Sequence, residues 1–228
     1  MKKIAILQSN YIPWKGYFDL IASVDEFIIY DEMQFTKNDW RNRNKIKTSQ
    51  GIDWLSIPVG KNINRRICDV ELTNYFWQEK HWKTLENNYR KAKFFKEIES
   101  IIKPIYEKKH TNLSELNILF IKTICTYLNI KTKITNCLDY SLIEGKTIRL
   151  IDLCQQTEAS EYISGPSAQN YIEEDLFILN NIQLTWFNYE NYPVYNQLWG
   201  DFEHAVTILD LLFNEGPNSN LFMKFNAK

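Results

Sequence analysis

The most constraining stretch is the first thirty residues. A short apolar run, Lys3–Leu7, has the length and composition of a buried strand. Helical spacing returns with Tyr17, Phe18, Leu20 and Ile21, giving a helix over Trp14–Ser23. Next comes EFIIY, Glu26–Tyr30, β-branched and aromatic, a second strand. A helix between two strands favours parallel pairing through a right-handed crossover. Between the first strand and the helix lies a polar break, Gln8 to Gly16, longer than a structural turn requires. In an open parallel sheet, ligands bind beyond the carboxyl ends of the strands, where this break falls. The break therefore reads as a ligand loop.

The rest of the chain continues the alternation. Strands are expected at Asp53–Val59, Cys68–Leu72, Ile130–Thr135, Glu161–Ile163 and Ile182–Phe187. Helices are expected at Asn74–Lys93, Phe94–Lys108, Leu113–Leu128, Lys146–Thr157 and His204–Asn214, with another starting at Ser167–Tyr171. In the helix at 146–157, Ile148, Leu150, Ile151 and Leu153 are expected to face inward, and Gly216-Pro217 stops the last helix. The pattern predicts an α/β fold: a mainly parallel sheet with helices on both faces. A single domain over 1–217 would carry a helical insertion near 74–128, followed by a weakly ordered tail, 218–228.

Composition narrows the function classes. A net charge of −1 argues against a nucleic-acid or membrane surface. The four cysteines form no CxxC pair and have no histidine at ligand spacing, as expected of free thiols in a cytoplasmic protein. MKKIAILQSNY begins like a signal peptide, but its apolar run is too short and no small-residue cleavage site follows. No apolar run is long enough to span a membrane. Signatures of a serine hydrolase elbow, a Walker loop and a dinucleotide fingerprint are lacking. Asp201, Glu203 and His204 match no metal-site spacing, and His81 reads as a packed helix histidine.

Three segments that leave strands are rich in polar groups. The first offers Gln8, Asn10, Tyr11, Gly16 and Tyr17, with Gly16 permitting close backbone approach. The second, Tyr30 to Lys47, carries Gln34, Lys37, Asn42, Arg43 and Lys45; arginine forks with amides suit phosphate oxygens. The third is Ser164, Gly165 and Ser167, a Gly-Pro turn opening a helix. A solvated basic loop and a plain N-cap are the competing readings of the last two. Asp31, at the end of a strand, is the best-placed carboxylate for general-base work, with Glu32 the alternative.

Five ordered motifs, QSNYIPWKGYFDLI, DEFIIYDEMQFTKNDWRNRNKI, DWLSIPV, RLIDLCQQTEASEYISGPSAQNYI and LDLLFNEGP, together resemble the WbqC-like family of bacterial surface-polysaccharide gene clusters, from Lys3 to Pro217. One departure is visible. The family pattern places His-Gln-Pro after the first strand, where this chain has Leu7-Gln8-Ser9. The resemblance implies an enzyme of O-antigen or related glycan biosynthesis that modifies a nucleotide-linked amino sugar. Our inference from that setting is transfer of an amino acid or acyl group, such as glycyl, to the sugar 4-amine. A more distant similarity is to the HIGH-type nucleotidyltransferases, which include pantothenate synthetase. It implies a Rossmann-like fold and raises ATP as a cofactor, but Trp14 and Tyr17 stand where that superfamily has its two histidines.

In such a transferase Asp31 or Glu32 would take the amine proton, and Arg41, Arg43 and Lys45 would hold a diphosphate. Tyr11, Trp14 and Trp40 would stack on a base or sugar, and backbone N–H groups near Gly16 or Gly165 would face the oxyanion. The competing class is a non-catalytic nucleotide-sugar binder or scaffold in a glycan-assembly complex. A transferase drawing on aminoacyl-tRNA would need an RNA footprint, for which only the basic 37–47 loop speaks. The acyl donor and any homo-oligomer stay open.

Overall fold

The computed structural model describes residues 1–225. The elements in chain order are β1 (Lys3–Leu7), α1 (Lys15–Ala22), β2 (Glu26–Ile29), β3 (Arg43–Thr48), β4 (Gly51–Ser56), α2 (Phe76–Tyr89), α3 (Phe95–Glu107) and α4 (Leu113–Tyr127). They continue with β5 (Lys133–Asn136), α5 (Thr147–Gln156), β6 (Glu161–Ser164), α6 (Glu174–Leu179), β7 (Gln183–Trp186) and α7 (Ile208–Glu215).

Five strands form one parallel sheet in the order β5-β2-β1-β6-β7. The chain moves outward from β1 through β2 to β5, then returns to place β6 on the other side of β1. The direction of winding reverses between β1 and β6, which opens a crevice beyond their carboxyl ends. The pleat divides the core. Ala5, Phe27 and Ile29 face α1, α2, α3, α4 and α7; Ile4, Ile6 and Ile28 face α5 and α6. This is the expected α/β, Rossmann-like fold with helices on both faces, and α2, α3 and α4 make up the helical stretch between 74 and 128.

Several elements differ from the sequence expectation. The basic stretch after β2 is not one loop: its second half is β3, paired antiparallel with β4 in a separate hairpin. Polar side chains disguise it, because Asn44 and Ile46 alternate inward while Arg43 and Lys45 do not. The strand expected at Asp53–Val59 is therefore a hairpin arm. Cys68–Leu72 is a strap opened by a short 3-10 turn at Ile67–Asp69; the Ile67 and Cys68 N–H groups donate to the Met33 and Asp31 carbonyls just past β2, and the Leu72 N–H to the Thr111 carbonyl. Ser167–Tyr171 is likewise a 3-10 turn, and the helix begins only at Glu174. Ile148 turns out to solvent, while Leu150, Ile151 and Leu153 are buried as expected. The last helix starts at Ile208, capped by the Thr207 hydroxyl.

The segment expected as a loose tail packs onto the body as far as it is described. Gly216 ends α7 with φ +50°, and a side chain there would overlap the Phe94 ring. A 3-10 turn follows through Phe222, Met223 is buried, and the Lys224 and Phe225 N–H groups donate to Asp19 Oδ1 at 3.1 and 2.9 Å. Residues 226–228 lie outside the described residues. Met223→Ala should lower stability by about 2–5 kcal/mol. Urea unfolding measures this, and a loss below about 0.5 kcal/mol, the scale of a neutral surface change, would refute the docking.

Candidate functional site

The break after β1 is held from every side. Asp31, just past β2, is fully buried. Its carboxylate accepts from the Ser9 N–H at 2.7 Å, the Ser9 hydroxyl at 2.6 Å and the Ser114 hydroxyl of α4 at 2.5 Å. The base role expected of Asp31 does not fit this setting, because its oxygens are spent on fixing the loop. Asn117, also on α4, donates to the Ser9 hydroxyl at 3.1 Å and the Arg41 carbonyl at 2.9 Å. Asn44 of β3 donates to the Tyr11 and Ile12 carbonyls at 3.0 and 2.9 Å. The Arg41 guanidinium bridges the loop, donating to Gln8 Oε1 at 3.3 Å and to Asn10 Oδ1.

Beyond the carboxyl ends of β1 and β6 lies a cavity of about 550 Å³. Gln8 lines it from the first expected segment, and Ser164, Gly165 and Ser167 line it from the third. Tyr30 and Met33 enter from β2, and Lys146 and Arg149 from the start of α5. The polar side of this cavity is cationic, and among the described residues no carboxylate lines it. The first turn of α5 carries no acidic residue and no side-chain cap, so its N–H groups add to the positive field.

Lys146 and Arg149 were missed in the sequence reading, although a signal for them exists. Helices favour acids in the first turn, and this one opens GKTIRL with two cations instead.

The other expected residues scatter. Gln34 and Lys37 are exposed and line no part of this cavity. Arg43 lays its guanidinium 4.2 Å from the Trp54 ring centre, with the Lys45 ammonium at 5.5 Å, so both decorate the hairpin. Asn42 donates to the Ile57 carbonyl at 2.8 Å. Glu32 lies 3.7 Å from Arg66, with Oε2 unpartnered. Tyr17 is buried and donates to the Gln8 carbonyl at 3.0 Å, behind the loop.

Tyr11 is no stacking platform. It is fully buried, with its hydroxyl 2.9 Å from His81 Nδ1 and 2.6 Å from the Tyr106 hydroxyl. Gly16 does not approach a ligand either: the Trp14 indole lies over it, where any side chain would collide. Trp14, Trp40 and Asn10 instead line a second, smaller cavity of about 230 Å³ with Asn44 and His204. Burial, and secondarily the Lys15 ammonium, hold the His204 imidazole below its ordinary pKa.

Comparison with known proteins gives a family. The chain matches the WbqC-like protein family over residues 8–221 and belongs to it. It is 54% identical over 228 residues to "Uncharacterized protein Rv1507c" of Mycobacterium tuberculosis (strain ATCC 25618 / H37Rv), covering 99% of each chain. No solved structure matches. Family membership suggests a role in surface-polysaccharide biosynthesis. Among the described residues no helix is long and apolar enough to cross a membrane.

Two outcomes test this construction. Asp31→Ala strands three buried donors and should cost about 3–5 kcal/mol of stability. If denaturant unfolding shows less than 1 kcal/mol, by the scale of a single unmet hydrogen bond, the carboxylate does not hold the loop. His81 is buried neutral, its pKa lowered by burial to about 4 from the ordinary 6.5. Because the folded value is the lower one, the unfolded chain takes up this proton first as pH falls. Stability should therefore decline from about pH 6.5 to pH 4, by on the order of 3 kcal/mol. His81→Gln should flatten that part of the stability profile relative to the parent, and parallel curves would exclude His81 as the cause.

Proposed function

We propose that this protein is a cytoplasmic enzyme of O-antigen or related surface-glycan biosynthesis. It forms an amide by transferring an amino acid or acyl group, such as glycyl, to the 4-amine of a nucleotide-linked amino sugar. The observation that carries this reading is the cavity at the β1–β6 crevice, with Lys146, Arg149 and the open start of α5 on one wall. Two cations and free N–H groups with no facing carboxylate suit the diphosphate of a nucleotide sugar. Gln8, Ser164 and Ser167 supply neutral hydrogen-bonding groups around it.

The sugar amine must lose a proton before it attacks the carbonyl carbon of an activated acyl donor, whose bond to its leaving group breaks as the amide forms. With Asp31 spent on the loop, Glu32 is the remaining carboxylate of the expected pair; its Oε2 has no partner but is buried and does not line the cavity, so the side chain would have to turn toward the substrate to act as base. Gly165 lines the cavity, and its N–H would be the donor to a developing oxyanion.

A second reading is favoured by one observation: neither a carboxylate nor an imidazole lines the larger cavity. A non-catalytic nucleotide-sugar binder in a glycan-assembly complex would need neither. Turnover separates the two, since a binder yields none with any donor.

A thermal-shift screen against UDP-, GDP-, CDP- and dTDP-sugars, with ATP alongside, tests the reading. A ligand at 100-fold excess over its Kd stabilises the native state by about 2.7 kcal/mol. Lys146→Ala and Arg149→Ala should each weaken the responding nucleotide sugar by about 1–3 kcal/mol, the range for a charged hydrogen bond. A shift with ATP alone would point to adenylation chemistry, and unchanged affinity in both variants would remove the phosphate assignment.

A further inference from the structure

We infer that the smaller cavity, walled by Trp14 and Trp40, is a binding subsite for the sugar ring of the substrate. This inference rests on the nucleotide-sugar reading of the larger cavity, and it deepens that reading by separating where the two halves bind.

The two cavities differ in chemistry. The larger one is cationic, whereas among the described residues no lysine, arginine or carboxylate lines the smaller one. Lys15 lies in a cage of aromatic rings, 4.9 Å from the Tyr192 centre and 5.3 Å from that of Tyr195, and donates to the Pro193 carbonyl at 2.9 Å, while the Arg41 guanidinium is taken up by the Gln8 and Asn10 side chains. The lining itself offers a phosphate no cation.

A pyranose suits it better. Its ring has an apolar C–H face, complementary to an indole, and a rim of hydroxyls that need donors and acceptors. Trp14 and Trp40 provide the faces, and Asn10 and His204 the polar groups. Asn44 has no such role, since its amide is used on the Tyr11 and Ile12 carbonyls and its oxygen on the Lys45 N–H. At about 230 Å³ the space falls below the roughly 300–1,000 Å³ of drug-sized ligand sites, as expected for one ring.

Both walls are held in place. The Trp40 ring centre lies 5.5 Å from that of Trp54, whose ring carries the Arg43 guanidinium. The Trp14 ring sits over Gly16 and is flanked by Tyr189 and Tyr192 at 5.4 and 5.5 Å. An aromatic wall fixed in advance loses little freedom on binding.

The cavities also share a boundary. Gln8 lines the larger one and Asn10 the smaller, and the Arg41 guanidinium is bonded to both side chains. Two residues of chain span at most about 7 Å, a reach that a pyrophosphate bridge between nucleoside and sugar can match. On the opposite side Tyr189 packs against Trp14 and lies near Gly165, where an added side-chain carbon would meet its hydroxyl at 3.7 Å.

Matched pairs of ligands test the assignment by calorimetry: UDP against UDP-glucose, GDP against GDP-mannose, and dTDP against dTDP-glucose. In the parent protein the sugar should add affinity in at least one pair. Trp40→Ala should lose about three- to tenfold in affinity for the sugar-linked member, the range for an aromatic contact, and leave the free nucleotide unchanged. Trp40 is 40% exposed, so its removal leaves the fold intact, which circular dichroism checks. His204→Ala, also at an exposed position, should lower affinity for the same member only. Equal losses for both members of a pair, or none in either variant, would overturn the subsite.

If no nucleotide binds the parent, the nucleotide reading fails on its own, and methyl glucoside decides the subsite. Quenching of tryptophan fluorescence at millimolar glycoside, abolished in Trp40→Ala, would support it. No quenching would overturn it.

Discussion

The structure depends on one buried carboxylate. Asp31 stands where β2 ends, and its two oxygens collect three donors from the β1 loop and α4. A buried carboxylate is costly unless its hydrogen bonds are met, so the geometry around it has little room to vary. The loop after β1 is thereby drawn across the carboxyl edge of the sheet, with Gln8 on one side and Asn10 on the other. Arg41 completes the arrangement by bonding to both side chains. The residue that looked best suited to take a proton is the one that builds the site's floor.

Two cavities of different character follow from that floor. The larger carries cations from α5 and serine and glycine from the end of β6. The smaller is lined by indoles, amides and an imidazole. The parallel sheet explains the first, since reversal of winding between β1 and β6 leaves a crevice there. The hairpin of β3 and β4 contributes to the second by backing Trp40 with Trp54. Arg43 and Lys45 of that hairpin, which on paper resemble a phosphate clamp, lie over the Trp54 ring instead.

The sequence made the first half of this legible. Apolar periodicity marked β1, α1 and β2 to within a residue or two, because each buries its own face and the pattern is local. The polar break stood out because no turn needs so many amides and aromatics. Legibility failed where a residue's partner is distant in the chain. Tyr11 and Gly16 read as ligand contacts, but one bonds to a histidine seventy residues away and the other makes room for an indole. Lys146 and Arg149 carried a readable sign, two cations opening a helix, that was passed over.

By itself the sequence determined the α/β class, the parallel crossover and the long polar break after β1, since these rest on short-range periodicity and on the fixed handedness of the crossover. Tertiary structure alone decided which cations face the crevice, which aromatics wall the second cavity, and that Asp31 is structural. These depend on pairings across long stretches of chain, such as Asp31 with Ser114 or Trp14 with Tyr189. Sequence spacing does not encode such pairings, because they form only when the helices close over the sheet.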